Sequence, residues 1–235
     1  MHCRWIVIGA LISFTFSLNV PVLMYHEIRT PNVNDTDLRR DLSCSPQQFI
    51  QHLNWIERQG YVTITSGQLL RIPCPKRPIM LTFDDGRESC YFAASELLRH
   101  GMRGVFYVNT AAMGKANHLT RLQIIDMSRM GMEIGSHTVS HTDLRNLSMK
   151  QLLFELSHSK KVLQELTGQP INSLAYPSGG YDQKVIKAVK HLGYFSARTT
   201  GSGCFLGLDP FRIPVIRVHP STTPQNLARM IKNGL

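Results

Sequence analysis

The sequence has no Cys-x-x-Cys pair, no internal repeat, no low-complexity segment and no apolar run of 18 residues. These absences exclude a thiolate zinc site, collagen, a coiled coil and a polytopic membrane protein. Acidic residues are scarce. The 235 residues hold 16 Asp and Glu against 26 Lys and Arg, a formal net charge of +10. The basic residues are spread singly or in pairs, such as Arg39-Arg40 and Lys160-Lys161, without the clustering of a nucleic-acid-binding element. The excess is read as a positively charged surface, with an anionic cell-envelope neighbour as the second reading. Hydrophobic residues make up 43%, which supports a sizeable core and argues against disorder. One domain fits the length.

Behind a short basic start at Arg4, the 12 residues Trp5–Phe16 are predominantly apolar. That is the size of a signal-peptide core and short of the roughly 20 residues needed to span a bilayer. Residues 1–18 are therefore expected to be a signal peptide or N-terminal anchor, and 19–235 the exported domain, acting in the periplasm, at the cell surface or in the medium. A buried first strand is the competing reading of the same pattern. Cys3 precedes the apolar stretch. The other four cysteines, Cys44, Cys74, Cys90 and Cys204, are irregularly spaced and are expected as buried free thiols, although export would permit disulfides.

From residue 20 onward, β-branched and aromatic runs alternate with helical periodicity. Strands are expected at Val20–Ile28, Tyr61–Thr65, Pro78–Asp85, Gly104–Asn109, Glu133–His137, Ser173–Tyr176, Tyr194–Thr199 and Ile213–Val218. Capping boxes beginning at Ser45, Thr120 and Ser148, and N-caps at Asp182 and Thr223, start the helices between them. Gly60, Gly101, Gly131, Gly168, Gly193 and Gly234 fall where helices should stop. Repeated strand–helix alternation implies a parallel sheet with crossover helices. The expected fold is α/β: a single-domain, distorted (β/α) barrel, closed or incomplete, with a doubly wound open sheet as the alternative.

Polar clusters fall at the C-terminal ends of the expected strands, where such folds place their chemistry. They are Tyr25-His26-Glu27, Asp84-Asp85-Gly86, His137-Thr-Val-Ser-His141, Tyr176-Pro-Ser-Gly-Gly180 and Val218-His219-Pro220. His137 and His141, four apart, would project from one side of a helical turn and could reach one ion. Adjacent carboxylates repel unless each has its own partner. One Asp could then ligate a metal while the other faces a water or a histidine. Two His and one Asp leave an open coordination position, as catalytic zinc requires. His52, His100, His158 and His191 lie on helical patterns and are expected in solvent.

Thr82-Phe-Asp-Asp-Gly86 and His137-Thr-x-x-His141, about 50 residues apart, resemble the first two motifs of the polysaccharide deacetylases, carbohydrate esterase family 4 with its NodB-like domain. Pro21-Val-Leu-Met-Tyr-His-Glu-Ile28 resembles the branch that deacetylates poly-β-1,6-N-acetylglucosamine. The resemblance implies metal-dependent removal of N-acetyl groups from an amino-sugar polysaccharide. Asp84 would be the general base, and Asp85, His137 and His141 would hold a divalent metal, zinc first with other transition metals open. Tyr176, Pro177, Ser178 and Gly179 would form a substrate-binding groove wall, and a backbone N–H of Ser178 or Gly179 would meet the oxyanion. The general acid would be His26, its pKa raised by a nearby carboxylate, with His219 as the alternative. The sequence departs from the family at three places. No Arg stands at or beside Ala175, Ser178 replaces an aromatic, and Ala197-Arg198-Thr199-Thr200 occupies the region of the usual Asp-Trp motif, which puts the orientation of the base and the sugar contacts in question. Competing functions are an O-acetyl carbohydrate esterase on the same site and a weakly active carbohydrate-binding homologue.

Overall fold

The structure, a computed structural model, describes residues 19–69 and 75–234. The expected leader at 1–18, with Cys3, and Cys74 lie outside the described residues. Seven parallel strands form the sheet: β1 (Val22–Tyr25), β2 (Pro78–Phe83), β3 (Val105–Val108), β4 (Glu133–Ser136), β5 (Ser173–Ala175), β6 (Ser196–Ser202) and β7 (Ile213–Arg217). Their order follows the chain, and β1 pairs with both β7 and β2, so the sheet closes on itself. The closed barrel replaces the open-sheet alternative.

Five helices follow β1 to β5 around the outside: α1 (Pro46–Arg58), α2 (Cys90–Arg99), α3 (Arg121–Arg129), α4 (Met149–Thr167) and α5 (Gln183–His191). The link from β6 to β7 has no helix, which is the distortion, and α6 (Pro224–Asn233) follows β7. Gly60, Gly101, Gly131, Gly168, Gly193 and Gly234 all take positive φ at the stops. Thr120 and Ser148 form complete capping boxes. Ser45 caps α1, but Gln48 does not return the bond; its side-chain amide donates to the carbonyls of His219 and Thr222 instead.

The expected first strand is interrupted. After β1 the chain leaves the barrel, and Glu27–Ile28 pairs with Ser43–Cys44 in a separate two-stranded ribbon. Val62–Thr63 only extends the edge of β2.

Alternation along the strands divides the core into two layers. Leu23, Leu81, Phe83, Phe106, Leu174 and Ile216 face the helices. Val22, Met24, Met80, Val105, Tyr107 and Val215 fill the barrel interior. Both faces are buried, so the strands read as continuous apolar runs. Tyr107 takes so much of the interior that a Cβ on Gly135 would lie 2.5 Å from its ring. Below it, Glu133 accepts a hydrogen bond from Ser173 at 2.6 Å and from the Gly67 N–H at 3.1 Å. At the lower end, Val20 and Phe205 exchange backbone hydrogen bonds at 2.9 Å and cover the base. Cys44 and Cys90 are buried thiols, and burial pushes Cys44 up to about 12. No helix among the described residues is long and apolar enough to cross a membrane.

Candidate active site

The period of two that fills the barrel also builds the site. Met24, Thr82 and Gly135 point inward, so His26, Asp84 and His137, two residues further on, point inward at the upper rim. Asp85 has the wrong parity. It is brought round by a φ of 68°, followed by Gly86 at 60°. Among the described residues, five other than glycine have positive φ, and four of these, Asp85, Thr138, His141 and Ser178, lie at this rim. Such conformations persist only where their surroundings enforce them.

Asp85, His137 and His141 converge. Both Nε2 atoms lie 3.5 Å from the same Asp85 Oδ1, and one ligand atom from each residue falls within 4.8 Å of the others. His137 Nδ1 is 2.7 Å from the Ala175 carbonyl, which fixes the Nδ1–H tautomer and turns the Nε2 lone pair toward the other two residues. The donor set therefore fits a zinc-like divalent cation. The two histidines do not share a helical turn, contrary to the sequence expectation. They sit in the loop after β4, where Thr138 and His141 reverse the chain at φ 66° and 61°.

That loop is wrapped around Glu155 of α4. The buried carboxylate accepts from the Val139 N–H at 2.8 Å, the Ser140 N–H at 2.9 Å and the Ser140 hydroxyl at 2.7 Å. The Thr138 hydroxyl caps the His141 N–H at 3.1 Å. Sequence reading missed Glu155 because a Glu on a helix is ordinarily solvated. Its signal was position: it faces the buried side of α4 with Leu152, Leu156 and Ser159. A Glu155→Gln variant turns an NH2 group toward donors. It is expected to weaken zinc affinity about 10–100-fold, the usual loss for a residue that orients ligands. Titration calorimetry of wild type and variant measures this, and equal affinities would dismiss Glu155 from the role.

Asp84 is buried and anchored by Arg198, which projects inward from β6. Arg198 also donates to the Thr199 carbonyl at 2.8 Å and lies over the Tyr107 ring at 5.3 Å. The guanidinium absent beside Ala175 is thus supplied from the next strand. Burial alone would raise the Asp84 pKa, but Arg198, His26 and His137 outweigh it and hold the carboxyl below its ordinary value. Asp84 Oδ1 is buried and has no hydrogen-bond partner among the described residues. Asp85 is also held well below its ordinary value, against its own burial, chiefly by His137. On its outer side, Arg87 reaches Asp85 Oδ2 at 3.4 Å.

His26 Nε2 lies 3.8 Å from Asp84 Oδ2, with the side chain 12% exposed. Burial lowers its pKa, and this outweighs the opposing pull of Asp84 and Asp85. The carboxylates are present, yet the expected upward shift is reversed. His219 pairs at 2.9 Å with Asp41, and its side chain is 39% exposed. His52 is fully buried rather than solvated; it bonds the Tyr25 hydroxyl at 3.1 Å and the Thr222 carbonyl at 2.7 Å. His158 and His191 are exposed, and His100 is partly buried beside Glu57.

The four residues expected in the groove wall separate. Tyr176 and Pro177 are buried, Tyr176 with its hydroxyl on the Phe211 carbonyl at 3.2 Å, so both support the wall from beneath. Ser178 is exposed at φ 52°. The Gly179 N–H is engaged by the Tyr176 carbonyl at 2.9 Å, which leaves Ser178 as the backbone donor of the pair. Gly179 must be glycine: a Cβ there would lie 2.9 Å from the Thr200 backbone.

The sequence profile of the polysaccharide deacetylase family matches residues 71–197. A Bacillus subtilis protein designated as a polysaccharide deacetylase, YxkH, is 31% identical over 190 residues, 78% of this chain. The chain spans 65% of that relative's length, under two thirds. The solved Streptococcus pyogenes deacetylase PplD, in complex with acetate, superposes with a TM-score of 0.84 at 27% identity, covering 92% of this chain and 99% of that one. A poly-β-1,6-N-acetylglucosamine N-deacetylase of Staphylococcus aureus is more distant, 22% identical over 201 residues, covering 73% of this chain and 68% of that protein.

Proposed function

This chain belongs to the polysaccharide deacetylase family, and on that premise we propose that it is a metal-dependent hydrolase removing N-acetyl groups from an amino-sugar polysaccharide. The observation that carries this reading is the convergence of Asp85, His137 and His141 beside an Arg198-anchored Asp84. An acetamide resists hydrolysis because its carbonyl is a weak electrophile and its amine a poor leaving group. A divalent cation held by Asp85, His137 and His141, zinc by this donor set, would polarise the carbonyl and acidify a water.

The chain's own groups supply the remaining chemistry. Asp84 Oδ2 is tied to Arg198, so Oδ1 is the oxygen left to accept the proton of the attacking water. The Ser178 N–H would donate to the developing oxyanion. His26, 3.8 Å from Asp84, delivers a proton to the departing nitrogen. The products are a free amino sugar and acetate. The apolar stretch Trp5–Phe16 supports action outside the cytoplasm, on an envelope or matrix glycan.

The test is acetate release from a panel of N-acetylated glycans, before and after chelation. Dialysis against a chelator is expected to abolish release, and added zinc to restore it. Release that survives complete metal removal would overturn the metal-dependent reading.

A further inference from the structure

Three buried side-chain oxygen atoms have no hydrogen-bond partner among the described residues. The Tyr107 hydroxyl lies inside the barrel. Asp84 Oδ1 is the acceptor that the proposed proton transfer uses. The third, Asn109 Oδ1, has no role in the chemistry described above. A buried acceptor without a donor is rare, because burial removes the water that would otherwise satisfy it. Beside a reactive centre, the natural donor is a reactant.

Asn109 follows β3 directly, and the sheet places it. Val105 and Tyr107 point into the barrel, so Asn109, two residues on from Tyr107, leaves the chain on the same face at the upper rim. Tyr107 pairs with Gly135 across β3 and β4, which sets Asn109 level with His137. On the other side Thr82 pairs with Val105, which sets Asp84 level with Tyr107, one strand away from Asn109 and two residues lower. The backbone holds this arrangement. The Val108 carbonyl accepts from the His137 N–H at 2.9 Å, and the Thr110 N–H donates to the Thr138 carbonyl at 3.1 Å. Asn109 therefore stands between the base and a residue of the candidate metal site, with one acceptor to offer.

We infer that Asn109 is a positioning residue for the attacking water, its Oδ1 accepting the hydrogen that Asp84 does not take. The inference rests on the deacetylase reading, with Asp84 as base, and adds a group to it. Water carries two protons, and the two free acceptors take one each, which aims an oxygen lone pair at the acetyl carbon. As that oxygen bonds the carbon, the carbonyl electron pair moves onto the oxyanion and one O–H breaks toward Asp84 Oδ1. The second O–H survives into the tetrahedral intermediate, still held by Asn109. An amide suits this place because it accepts without ionising. A second carboxylate would repel Asp84 and compete for the same proton.

Asn109→Val and Asn109→Thr, variants of one shape that differ by a hydroxyl, test this on N-acetylglucosamine oligomers and on an aryl acetate. Asn109→Val is expected to lower kcat about 10- to 100-fold on both substrates, the cost of misaligning a reacting group, with KM and zinc affinity unchanged. Asn109→Thr, which keeps an acceptor, should retain more turnover than Asn109→Val. The loss on the ester separates this role from that of His26, whose proton an aryl oxide does not need. Unchanged kcat in Asn109→Val overturns the inference and leaves the deacetylase reading standing. So does a loss confined to the amide with a raised KM, which would place Asn109 on the substrate. A loss of zinc affinity overturns it too, by making Asn109 a support for His137. Wild-type protein that cleaves the ester and no N-acetyl glycan overturns the deacetylase reading, and the ester then tests Asn109 alone.

Discussion

Replacing Asp84 by Asn is expected to lower acetate release by about 10²- to 10⁴-fold, the range for loss of a positioned acid–base group. Zinc binding should persist, because Asp85, His137 and His141 are untouched. The same change should also destabilise the fold. Asp84 is the counter-ion of an Arg198 that is 1% exposed inside the barrel. Removing one member of a buried pair typically costs about 3–5 kcal/mol, because the other charge is left uncompensated. Denaturant unfolding of Asp84→Asn should approach that loss. The double variant Asp84→Asn/Arg198→Met should regain most of the stability and none of the turnover.

The sign of the pH effect follows from the depressed Asp84 pKa. The stabilisation from this pair is fully present above the ordinary Asp pKa, about 3.9, and is lost as pH falls through the lower folded value. Turnover equal to wild type in Asp84→Asn would remove Asp84 from the role of base. Unchanged stability would show that Arg198 does not depend on it.

His26→Ala should depress cleavage of an N-acetyl sugar by about 10²- to 10⁴-fold, while hydrolysis of an activated aryl acetate falls by no more than about tenfold. The departing amine needs a proton, whereas an aryl oxide leaves without one. Because burial holds the His26 pKa below 6.5, the protonated fraction is lost as pH rises through that lower value. Amide turnover should therefore begin to decline on the acid side of neutrality, and the ester should lack this limb. His219→Ala should leave both reactions near wild type, since its ring is engaged by Asp41. The reverse pattern would make His219 the acid. Wild-type behaviour in both variants would assign the proton to water.

The strands were legible because both of their faces are buried, so an apolar run marks each one without any knowledge of its partners. The convergence of Asp85, His137 and His141 was legible because the three residues fall in two short segments. Arg198 was not: its partner is 114 positions away, and only the inward parity of β6 brings the two together. The loop holding His137 and His141 looked helical because their spacing of four matches a helix turn. Left-handed residues and a distant Glu155 produce the same convergence by another route. His52 was placed in solvent because helical periodicity does not reveal a buried acceptor such as the Thr222 carbonyl.

The plugged lumen has a consequence for traffic. With Tyr107, Arg198 and the hydrophobic side chains filling the interior, and Val20 and Phe205 across the base, the described residues leave no passage through the barrel from end to end. On the proposed function, water, proton and acetate would share the rim with the substrate, and a glycan would have to lie across that rim instead of passing through the barrel.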